Sequence, residues 1–153
     1  MGMSPTARLV YGYDLGSSDS WKVHQVGEYG ELNLDWLGED EDFVGAAQKR
    51  LLASVGFTET DWRVDGYHDR QRAAEKLVGA KIVRTGSFEY SGHCLAFNVG
   101  RAEWSETDTI DFPALREQAV AEDWDGKLAR AMAALGLTTD QAGPQWILTA
   151  FYG

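Results

Sequence analysis

The side chains best suited to acid–base, nucleophilic or metal chemistry are three histidines, His24, His68 and His93, and a single cysteine, Cys94. Their spacing argues against each use. No histidine has another at i+3 or i+4, and a zinc site wants about four ligands at short intervals. His93 and Cys94 are adjacent, and neighbours in a strand point to opposite faces, which weakens a Cys–His dyad. Cys94 sits in the apolar-leaning run HCLAF and reads as a small core residue. With one cysteine there is no intramolecular disulfide. Gly12, Gly16, Ser17 and Ser18 follow a strand as phosphate loops do, but neither G-x-G-x-x-G nor G-K-[ST] is present. No metal and no cofactor is expected. The enzyme reading that survives is a cleft beside a sheet holding Asp14, His24 or His93.

Charge is the stronger signal. Residues 28–42 carry seven acidic side chains and no basic one, and residues 103–125 carry eight against Arg116 alone. The formal net charge of -10 is therefore regional. Carboxylates packed this densely must face outward, because burying one unpaired costs several kcal/mol or its charge. The run Glu39, Asp40, Glu41 and Asp42 lacks the alternation of a calcium loop and lies where it would complement a helix N-terminus. With Glu103, Glu106, Asp108 and Asp111, and with Trp36 and Trp104 as aromatic neighbours, it is the expected contact surface for a basic protein partner. Arg63, Arg70, Arg72, Lys76, Lys81 and Arg84 are the most basic grouping. In a chain of pI near 4.6 they read as a solvated helix face before a docking patch, so direct nucleic-acid binding is not expected.

The elements that must position these residues follow from periodicity. Residues 7–13, 81–86, 93–103 and 145–152 read as strands, 89–92 as the turn of a central hairpin, and 21–29 as a further short strand. Helices are expected over 41–55, 67–78, about 112–120 and 122–135. The last has Trp124, Leu128, Ala131 and Leu135 on one stripe, buried in one core with Ile147. Tyr67, Ala74, Leu77 and Val78 are assigned to the inner face of the second helix. Gly56 and Gly136 read as left-handed helix caps, and Thr138 with Gln141 as a capping box for a last turn. At 16.9 kDa, area scaling gives a folded surface of roughly 7,700 Å².

Three stretches, ARLVYGYDLG over 7–16, LLASVGFTETDW over 51–62 and WILTAFYG over 146–153, together resemble a family of small uncharacterised proteins of actinobacteria and their phages. The resemblance spans most of the chain. It implies one intact domain in a cytoplasmic setting, and it brings no activity, cofactor or catalytic residue. A phage origin would favour a small protein that binds a host factor.

The expected fold is α+β: one domain over 1–153, with residues 1–6 a loose leader. Its mostly antiparallel sheet of four or five strands carries three to four amphipathic helices mainly on one face. The expected function is a non-catalytic interaction or regulatory module. It would be cytoplasmic and acidic, binding a basic protein or presenting DNA-like charge to a host DNA-binding enzyme. No run approaches the length of a membrane helix. Dimerisation through the edge of the last strand is left open.

Overall fold

The computed structural model describes residues 4–152. Five strands and four helices follow in the order β1 (Pro5–Ser17), β2 (Ser20–Trp21), α1 (Phe43–Ser54), α2 (Tyr67–Val78), β3 (Lys81–Ser87), β4 (Ser91–Glu103), α3 (Phe112–Ala121), α4 (Trp124–Leu135) and β5 (Gln145–Tyr152). The architecture is α+β, as expected. Strand β1 already includes Pro5 and Thr6, which shortens the expected leader; its residues 1–3 lie outside the described residues.

The sheet order is β2-β1-β4-β3-β5, and β5 pairs with β1 as well. β1 runs antiparallel to β4 from Thr6 opposite Glu103 to Ser17 opposite Gly92. On its other edge it takes β5 along Pro5–Gly12. A short parallel contact joins Gly86 and Ser87 of β3 to Phe151 and Tyr152 of β5. The sheet thus curls until its last strand meets its second, and the other edge of β5 is paired only at Phe151 and Tyr152.

Curling splits the core. The outer face and the helices enclose one cluster, with Leu15, Leu51, Leu95, Leu128 and Leu135 at 0–2% exposure. The inner face closes over Val10, Val83, Cys94 and Ala96, with Ile147 packed against them. Ile147 therefore belongs to the second cluster and is only partly buried, which corrects its assignment to the core of α4. Alternation explains the split: His93, Leu95 and Phe97 point to the helices while Cys94 and Ala96 point inward. Gly12 permits this closeness, because a Cβ there would run into the Leu95 carbonyl and Ala96.

The helices follow their capping chemistry. Asp42 holds the N-cap of α1 in extended backbone and accepts from the Gly45 N–H at 3.0 Å, so the helix starts two residues later than expected. At the C-termini of α1 and α4, Gly56 and Gly136 donate to the carbonyls of Ala53 and Ala133, and Phe57 and Leu137 donate to those of Leu52 and Met132. This is the same left-handed cap used twice. α2 matches its expected bounds, but Leu77 faces solvent at 63% exposure. α3 buries no residue. The strand expected over 21–29 is reduced to Ser20–Trp21 plus isolated bridges from Val23 to Thr139 and Val26 to Leu32. No turn of helix follows Thr138. Thr138 Oγ1 accepts from the Gln25 amide, while the Gln141 amide donates to the Gly12 and Gly143 carbonyls.

Candidate functional site

Asp14, His24 and His93 do not meet in one site. Asp14 stands on β1, where its carboxylate accepts from Lys22 Nζ at 2.7 Å and from the Gly16 N–H at 2.9 Å. It lines a cleft of about 670 Å³ with Trp21, Lys22, Asp140, Gln141 and Ile147. His24 is exposed, with Nδ1 2.9 Å from Thr138 Oγ1 and Nε2 2.7 Å from Asp140 Oδ1. It approaches the cleft only through Asp140.

His93 is buried on the helix side of β4, stacked on Trp21 at 5.2 Å and edge-on to Phe43 at 5.4 Å. Burial pushes its pKa down; the Arg84 guanidinium adds to this, and Asp42 opposes it. Its Nδ1 has no hydrogen-bond partner among the described residues. Cys94 lies opposite Asp14 in the register, and burial, then the Asp14 charge, pushes its thiol up to about 12. A thiol held protonated this far above neutrality is a poor nucleophile. His68 is solvent-facing, as expected. Among the described residues, no group of three or more His, Cys, Asp or Glu side chains is placed to hold a metal ion.

The two acidic segments sit at opposite ends of α4. Residues 28–42 flank its C-terminus, where Trp36 Nε1 donates to the Leu135 carbonyl at 2.9 Å beneath the Arg50 guanidinium. Residues 103–125 lead into its N-terminus. Many of their carboxylates are engaged locally. Glu41 accepts from the Gly38 N–H, Asp42 caps α1 and lies 3.7 Å from Arg84, Glu106 accepts from the Glu103 N–H, Asp108 from that of Arg101, and Asp111 caps α3. Glu103 is paired with Arg101. Glu39 and Asp40 have no such partner among the described residues. Trp104 projects into solvent at 66% exposure, whereas Trp36 is half-buried and structural.

Sequence reasoning missed a groove of about 440 Å³ between α3 and β5, lined by Tyr11, Arg116, Ala119, Val120, Asp123, Asp125 and Trp146. Tyr11 packs against Trp146 with ring centroids 4.6 Å apart and the rings tilted by 50°, and its hydroxyl donates to Asp125 at 2.6 Å. Burial and that hydrogen bond raise its pKa to about 12. Phe112 meets the Trp146 ring edge-on at 5.7 Å. Beside them Val120 and Leu148 are 83% and 78% exposed. The signal was present in the sequence: Trp146 and Leu148 share one face of the last strand by period two, but a strong apolar strand reads as core.

No family model, curated protein or solved structure matches this chain. Among the described residues, no helix is long and apolar enough to cross a membrane.

Proposed function

We propose that this protein is an interaction module that binds a basic, amphipathic segment of a protein partner along the groove between α3 and β5. The observation that carries the reading is the apolar exposure of Val120 and Leu148 beside a groove with carboxylates on its rim. Large exposed apolar side chains gathered beside charge mark interaction surfaces. The surrounding residues 103–125 carry eight acidic side chains against one arginine, so the complementary partner is cationic. Trp146, Tyr11 and Phe112 supply the aromatic anchors such interfaces favour.

The enzyme alternative at Asp14, His24 and His93 has less support. Asp14 and His24 are occupied by neighbours, and His93 is enclosed by rings.

The test is capture from a lysate with the wild-type chain and with Val120→Glu and Leu148→Glu, eluting in steps of salt. The expected result is a basic protein that elutes as salt rises and is lost with both variants. Asp14→Asn should retain it. A partner kept by both groove variants and lost with Asp14→Asn would overturn the reading.

A further inference from the structure

The grouping of basic residues around α2 divides when folded. Arg63 pairs with Asp61, Arg70 with Glu59, Arg72 with Asp69 and Arg84 with Asp42. Lys76 and Lys81 have no such partner among the described residues and converge, beside Arg72, with a residue from α4. Arg72, Lys76 and Lys81 line one cleft with Lys127, which the sequence spacing did not connect to them. Among the described residues, five of the chain's fourteen lysines and arginines have no ion pair, side-chain hydrogen bond or aromatic ring beneath them: Lys49, Lys76, Lys81, Arg116 and Lys127. Three of the five face this cleft. In a chain with 24 carboxylates, leaving three ammonium groups unpaired at one place sets up a local repulsion that an anion would relieve.

The cleft is built rather than incidental. Its volume is about 570 Å³, within the range of small-molecule sites. Gly79 makes room in it: a Cβ there would lie 2.8 Å from the Phe97 ring and 3.1 Å from Lys127 Cδ. Phe97 lies parallel to Trp124 at 4.6 Å, and both rings line the cleft. Trp124 is 3% exposed, and its indole Nε1–H has no acceptor among the described residues. That nitrogen is itself shut off from solvent, so the cleft meets Trp124 through its ring and not through its N–H. Asn98 and Gln118 add amides that can hydrogen-bond a neutral part of a ligand. Glu75 and Glu122 also line the cleft. They leave four basic against two acidic side chains.

We propose that this cleft binds a small phosphorylated molecule with at least two negative charges. The lysines contact its phosphate oxygens, and the Trp124 ring forms part of the wall beside them. Lysine suits this role as a mobile point charge. A long nucleic acid is disfavoured, because the acidic segment over 103–125 would repel it beyond the cleft. The proposal is independent of the groove between α3 and β5, which lies against the other face of α3.

Inorganic pyrophosphate is the probe, titrated calorimetrically into the full chain while the Trp124 indole N–H is followed by NMR. Saturable one-to-one binding is expected, with a shift of that resonance. Lys76→Gln, Lys81→Gln and Lys127→Gln should each weaken binding about tenfold, the scale of one charge-assisted contact. Lys49→Gln, an unpaired lysine elsewhere, should leave it unchanged. The substituted lysines sit at the surface, so retained circular dichroism separates loss of binding from loss of fold. No binding at millimolar pyrophosphate, equal weakening by Lys49→Gln, or binding of a single-stranded oligonucleotide in preference to pyrophosphate would each overturn the proposal.

Discussion

At the scale of single residues, identity alone misleads because environment decides what a group can do. His93 and Cys94 were legible as neighbours on opposite faces of a strand, and they are: one faces the helices and the other the inner cluster. What could not be read was that Trp21 and Phe43, far away in sequence, would enclose the imidazole. That enclosure makes a prediction. Burial lowers the His93 pKa from its ordinary 6.5, so the unfolded chain takes up the proton first. The stabilisation is complete above about pH 6.5 and is lost as pH falls through the lower folded-state value. Melting temperature measured from pH 7.5 to 5 should decline in wild type and decline less in His93→Phe, which keeps an aromatic ring but not the titration. Parallel declines would show that carboxylates alone set the acid sensitivity. Lys127 is the opposite case. It is one more solvated lysine in the sequence and becomes informative only when Arg72, Lys76 and Lys81 appear beside it.

At the scale of elements, legibility tracked how much of an element's pattern is imposed by burial. The stripe of α4 was legible, since Trp124, Leu128, Ala131 and Leu135 are all buried, but the helix starts at Trp124 and not at Glu122, because Asp123 turns left-handed to cap it. α2 has the same length and matched its bounds, yet Leu77 points to solvent beside buried Val78. Leu77 lies three residues after the buried Ala74, a spacing that fits the inner face, so only the packing distinguishes them. Leu128→Ala should therefore cost about 2–5 kcal/mol, and Leu77→Ala within about 0.5 kcal/mol of nothing, in denaturant unfolding. Similar losses for both would mean α2 is packed more deeply than its exposure implies. The strand expected over 21–29 failed for a related reason. Its backbone is held by distant partners, such as the His24 N–H donating to the Thr138 carbonyl, and no local alternation announces that.

At the scale of the whole molecule, the chain exposes 9724 Å², well above the roughly 7,700 Å² expected for its mass. Part of the surplus lies on the outer face of β5, on α3, and on aromatic loops such as Trp104 and Tyr29. The two acidic segments are separated by α4, about 18 Å of helix, more than twice the screening length near 8 Å at physiological salt. They act as separate fields, and the one over 103–125 contains the exposed Trp104, Phe112 and Val120. α3 borders the acidic groove on one side, through Arg116, Ala119 and Val120, and the lysine cleft on the other, through Leu115, Gln118 and Glu122. Glu122 therefore serves two fields of opposite demand. As part of the acidic segment it attracts a cationic partner, and as a lining residue of the lysine cleft it repels an anion. Glu122→Gln should slow association of the basic partner several-fold at low salt, with the difference vanishing as salt rises, because steering acts before contact. The same substitution should tighten pyrophosphate several-fold, since it removes one of two carboxylates from the cleft. Stopped-flow association and calorimetry on one protein preparation measure both. Movement of the two affinities in the same direction would show that Glu122 acts by holding α3 in place rather than through its charge.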